Sequence, residues 1–68
     1  MNVKRIRTRR KMKQGELAAL VGISQGFLCD IEHGYATPSL RVAMKLCKAL
    51  GVTMTALTTE RRLETELS

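Results

Sequence analysis

Residues Gln14 to His33 read QGELAALVGISQGFLCDIEH, and the spacing of apolar side chains in this stretch decides the fold. Leu17, Ala18 and Val21 recur at helical intervals, and so do Leu28 and Ile31 after a break, which predicts two short helices turning their stripes to one core. The break contains Gly22, placed where the first helix stops and the chain turns sharply, a position that favours φ > 0 and hence glycine. Ser24 follows as the N-cap of a second helix, expected from about Gln25 to Glu32.

Two helices crossing this closely need a small contact residue on the first, and Ala18 supplies it. The second helix is then held outward as a helix-turn-helix reading edge. Gln25, Gly26, Cys29 and Asp30 lie away from Leu28 and Ile31 and form an edge that fits a DNA major groove.

Working outward, an N-terminal helix is expected from about Val3 to Lys11, capped by Asn2, with Val3, Ile6 and Arg10 on one side and Met12 closing the turn. After the pair, Gly34 suits the left-handed position that ends a helix. Ser39 then caps a fourth helix from Leu40 to Leu50, with Leu40, Ala43, Met44, Cys47 and Leu50 read as inward, Arg41, Lys45 and Lys48 as a solvated face, and Gly51 as the stop. A fifth helix starts near Thr53 and completes the core with Met54 and Leu57. Beyond Thr58 and Thr59 the charges alternate. Leu63 and Leu67, at i, i+4 spacing, are assigned to a two-fold dimer contact, the plain alternative being a solvated tail.

The chain has 68 residues, a length at which one domain buries only about 60% of its unfolded surface. With one Tyr, one Phe and no Trp, and Leu, Ala, Met, Lys and Arg dominant, the composition is all-helical. Lys and Arg outnumber Asp and Glu by 12 to 6. The excess gathers at Lys4, Arg5, Arg7, Arg9, Arg10, Lys11 and Lys13, making a polyanion, nucleic acid ahead of membrane, the leading partner class. Cys29 and Cys47 lack a CxxC partner and are read as free thiols in a reducing cytoplasm, with no metal site and no cofactor. No apolar run has membrane-span length, no signal-peptide pattern follows the basic start, and no small-molecule ligand is evident. Residues 1–68 are read as one domain.

Ile6-Arg7, Gln14, Glu16-Leu17-Ala18, Gly22-Ile23-Ser24, Leu28, Ile31-Glu32, Gly34, Pro38-Ser39-Leu40, Leu46 and Ala49-Leu50-Gly51-Val52 together resemble the Xre/Cro family of phage-repressor-type helix-turn-helix domains over about residues 1–57, leaving 58–68 as an extension. The resemblance implies an all-α, five-helix bundle of the lambda-repressor type, with the helix-turn-helix in helices 2 and 3. It also implies an ion pair between Arg7 and Glu32 and a backbone contact to DNA from Gln14. The family more often has glycine where Lys11 stands, Asn at His33, and Lys or Arg in the loop that here reads Tyr35-Ala36-Thr37-Pro38-Ser39.

Within that frame Gln25 is the base reader, because its amide donates and accepts along the N7/N6 edge of adenine. Gly26 permits close backbone approach or is a weak first-turn residue. Cys29 meets a thymine methyl or is a small surface residue. Asp30 accepts from cytosine N4 or pairs with a cation. Phosphate contacts are expected from Arg9, Arg10, Lys13, Gln14, Ser24, Tyr35 and Thr37. The expected function is a sequence-specific, dimeric transcriptional regulator on double-stranded DNA; the alternative is an antitoxin or other interaction module of the same fold. No nucleophile, paired acids or phosphate-cradling loop points to an enzyme.

Overall fold

The computed structural model describes residues 1–58. Five helices follow one another: α1 (Val3–Arg9), α2 (Gln14–Val21), α3 (Gln25–His33), α4 (Leu40–Leu50) and α5 (Met54–Thr58). Every one of them contributes to a single apolar cluster of Val3, Leu17, Ala18, Val21, Leu28, Ile31, Leu46, Leu50 and Leu57. Removing these side chains from water is the main term holding so short a chain together.

The helix ends are closed as local chemistry dictates. Gly22 takes φ +82° and its N–H returns to the Ala18 carbonyl at 2.9 Å, a left-handed close that an L side chain would strain. Ser24 and Ser39 each accept a backbone N–H three residues on, from Phe27 at 3.0 Å and Val42 at 3.2 Å. At the end of α1 the left-handed residue is Lys11, with φ +58°, so the turn geometry that suits glycine is adopted here by a residue with a Cβ.

Three readings of the sequence are corrected. α1 ends at Arg9 rather than Lys11, because the left-handed backbone of Lys11 cannot continue the helix. Asn2 does not cap α1 with its side chain; at φ −92°, ψ 28° it lacks the extended geometry that aims a cap oxygen at the first turn. Its backbone N–H donates to the Leu57 carbonyl at 2.9 Å, and Nδ2 donates to the Ala56 carbonyl at 3.3 Å. The start of the chain is thereby stitched to α5. In α4, Leu40 and Met44 point outward, 71% and 57% exposed, while Leu46 is fully buried. The inner face runs through Ala43, Leu46 and Leu50, with Val42, Cys47 and Ala49 half-buried beside it. The register turns this way because α4 packs against α1, α2 and α5, the last contact bringing Cys47 Sγ within 3.8 Å of Met54 Sδ. Leu63 and Leu67 lie outside the described residues.

Candidate nucleic-acid interface

Buried Leu28 and Ile31 and half-buried Phe27 anchor α3 to the core. Gln25, Gly26 and Asp30 are left exposed and Cys29 half-exposed. At its far end Gly34 reverses the chain, and the N–H groups of Tyr35 and Ala36 converge on the Asp30 carbonyl at 2.8 and 3.2 Å. These bonds satisfy a helix end that water would otherwise have to cover. The helix is therefore a short rod, fixed at both ends, with its first turn open to solvent.

A polar chain behind this rod sets how its first residue is presented. Arg7 donates from Nε to Glu32 Oε2 at 2.7 Å and from Nη2 to Oε1 at 3.2 Å, a bidentate, charge-assisted pair joining α1 to α3. Arg7 Nη1 also donates to the Met12 carbonyl at 2.8 Å, fastening the turn after α1. The Glu32 side chain is 1% exposed and that of Arg7 13%; the residual exposure of Glu32 belongs to its backbone. Gln14 Nε2 donates to Glu32 Oε1 at 3.0 Å, and Gln25 Nε2 donates to Gln14 Oε1 at 3.4 Å.

The direction of this chain follows from charge. A carboxylate only accepts, so Gln14 must offer it the amide nitrogen, which leaves the Gln14 oxygen to face Gln25. Gln25 consequently holds one N–H inward and keeps the other, with its oxygen, for a partner. No buried side-chain nitrogen or oxygen among the described residues lacks a hydrogen-bond partner.

Arg9, Arg10, Lys11 and Lys13 are all exposed, yet they are not equivalent. Lys13 immediately precedes α2, where its N–H donates to Glu16 Oε1 at 3.2 Å; lysine has no acceptor to return the bond, so only half of a capping box exists. The Arg10 guanidinium lies over Gly51, its Nη1 3.8 Å from where a Cβ at that glycine would sit. This places its charge at the carbonyl end of α4, a favourable position for a cation. Ser24 accepts from Phe27 and still has its hydroxyl proton to donate.

Tyr35 and Thr37 are exposed in the α3–α4 loop, with the Tyr35 ring stacked on His33 at 5.7 Å. His33 Nδ1 lies 2.8 Å from the Cys29 carbonyl. Because a carbonyl only accepts, the histidine carries its proton there and acts as a helix-end donor. The Cys29 thiol sits 3.5 Å from the same nitrogen.

The sequence reading passed over Gly15. A Cβ built there would stand 3.1 Å from Gln25 Oε1, so this glycine makes the room in which the Gln25 amide lies. The available signal was a glycine in the first turn of α2, costing about 1 kcal/mol against alanine.

A family model described as helix-turn-helix matches residues 3–57. The chain is 36% identical over 61 residues to an immunity repressor protein of Bacillus phage phi105, covering 90% of this chain and 42% of that protein. It is 38% identical over 52 residues to an uncharacterized HTH-type transcriptional regulator, YgzD, of Bacillus subtilis (strain 168), covering 76% of this chain and 79% of that protein. The chain thus spans less than half the length of the phage repressor it resembles. With α2, the Gly22 turn and α3 arranged as described, the chain belongs to the helix-turn-helix family, of the Xre/lambda-repressor type.

Proposed function

We propose that this chain is a sequence-specific DNA-binding transcriptional regulator that acts in the cytoplasm as a homodimer on a palindromic operator, with α3 in the major groove. The observation that carries the reading is the orientation of Gln25: an exposed amide at the start of α3, with its polarity set by Arg7, Glu32 and Gln14. A donor and an acceptor presented in fixed order match adenine N7 and N6. Gly26, Cys29 and Asp30 complete the reading edge on the same rod, Asp30 facing either cytosine N4 or a neighbouring cation.

The start of α2, with Lys13 and Gln14, faces a phosphate, where helix N–H groups and the dipole favour an anion. Arg9, Ser24, Tyr35 and Thr37 add donors to the backbone, and Arg10 joins them by swinging from Gly51. The net charge of +6 supports the same polyanionic partner and makes binding steeply dependent on salt. One recognition helix reads few base pairs, so two copies on half-sites about one helical turn apart are expected.

Enrichment of a randomised duplex pool by the purified chain tests the proposal. The expected product is a preferred word with dyad symmetry; recovery of unbiased sequence would contradict it, and an asymmetric word would contradict the homodimer alone.

A second reading is an antitoxin or similar module of the same fold that binds a protein partner through its later helices and regulates its own operon. Exposed Leu40 and Met44 on α4 favour it. Under this reading their replacement by polar residues abolishes partner capture and leaves the enriched DNA word unchanged.

A further inference from the structure

We propose that Gly15 is a specificity-determining positioning residue, whose missing side chain lets the Gln25 amide lie against the first turn of α2 and keeps it bonded to Gln14. This rests on the DNA-reading role given to α3 above and concerns how one base in each half-site is chosen. Beside the position of a Gly15 Cβ, Gln25 is the sole neighbour within 4 Å among the described residues, apart from chain neighbours and the helix's own backbone. Oε1 stands at 3.1 Å and Cδ at 3.6 Å. A methyl group there perturbs Gln25 and nothing else.

The magnitudes make the perturbation count. A contact of 3.1 Å obliges the amide to retreat by a few tenths of an ångström, and the bond it makes to Gln14 is already 3.4 Å. Retreat in the direction away from α2 carries that bond beyond about 3.5 Å, where it ceases to be one. Once released, the terminal torsion of Gln25 is broad and two-fold, so nitrogen and oxygen can exchange places. An amide free to present either order offers donor and acceptor to adenine in one pose and reverses them in the other. Contacts to the DNA backbone, and with them affinity for unrelated duplexes, are untouched; the extra affinity for the preferred base is what weakens.

Two measurements on the full chain decide the matter. The first uses no DNA: in the unsubstituted protein, nuclear Overhauser contacts are expected between the Gly15 α-protons and the Gln25 side-chain amide, and Gly15→Ala should shift those amide resonances. Folding does not confound the comparison, because alanine is the better helix former. The second compares duplexes of the enriched word altered one base pair at a time. Gly15→Ala should lower preference by about two- to tenfold, the value of one neutral hydrogen bond, at the base pair whose preference Gln25→Ala abolishes. It should add no further loss in the Gln25→Ala background.

Preference unchanged by Gly15→Ala would overturn the proposal. So would equal weakening on every duplex, which would make Gly15 a site of close approach to the DNA backbone, and so would absence of the Gly15–Gln25 contact in the free protein. If the unsubstituted chain prefers no duplex while the contact is present, the specificity role falls together with the reading of α3, and the intact contact distinguishes that failure from the others.

Discussion

The α2–α3 pair and α4 are built from similar material, yet their faces are fixed by different means. In α2 the run Leu17 to Val21 is apolar throughout, Leu17, Ala18 and Val21 turning inward and Leu20 staying 64% exposed, but Gly22 and Ser24 fix where one helix stops and the next begins, and Arg7 clamps Glu32 across the gap. Local chemistry and tertiary contact agree there, so the register can be inferred before the structure is seen. In α4, Leu40, Val42, Ala43, Met44, Leu46, Cys47, Ala49 and Leu50 run around most of the circumference. The face that turns inward is selected by where α1, α2 and α5 press against it. In both α2 and α4 apolar residues extend past the buried face, so a helix's caps and its tertiary contacts, beyond periodicity, decide which of them turn inward.

The largest effect should come from breaking the clamp. Arg7→Met leaves the Glu32 carboxylate buried without its counter-charge, which costs about 3–5 kcal/mol and should unfold most of a domain this small, as read by urea or thermal melts. Replacing both partners by apolar residues should recover much of that loss, because the penalty is the unpaired charge rather than the missing bond. Full stability of the Arg7→Met single variant would show that packing alone orients α3, as it does α4.

The register of α4 comes next. Leu46→Ala opens a cavity at a fully buried position and should cost about 2–5 kcal/mol, whereas Met44→Ala, at a side chain 57% exposed, should stay within about 0.5 kcal/mol. Denaturation midpoints of the two variants compare the faces directly, and the reverse order would restore the inward reading of Met44. The smallest effect belongs to the turn after α1. Lys11→Gly removes a Cβ from a left-handed residue and should stabilise the fold by about 1 kcal/mol, seen as a raised melting temperature.

The fold was readable from the chain wherever a rule and its context coincided. The Gly22 turn, the Ser24 and Ser39 caps, the extent of α4 and the ends of α3 to within a residue are of this kind. Gln14 was singled out by the family resemblance and Gln25 by an amide that both donates and accepts, and the structure puts the two amides 3.4 Å apart. What escaped depends on three-dimensional neighbours. Nothing local marks Gly15 as the space for an amide ten residues on, and the route of the long Arg10 side chain to the end of α4 depends on where Gly51 comes to lie. Asn2 has the composition of a cap, but α5 offered its donors better-placed carbonyls.

The central claim is that α3 reads bases through an amide whose polarity the rest of the fold sets. Its most direct test is the affinity of the unsubstituted chain and of Gln25→Ala for the enriched duplex and for its single-base variants at constant salt. We predict that the unsubstituted chain loses about 1–3 kcal/mol per half-site when one particular adenine is replaced, and that Gln25→Ala binds those duplexes alike while still discriminating at the other positions. Undiminished discrimination at every base pair by Gln25→Ala would contradict the account.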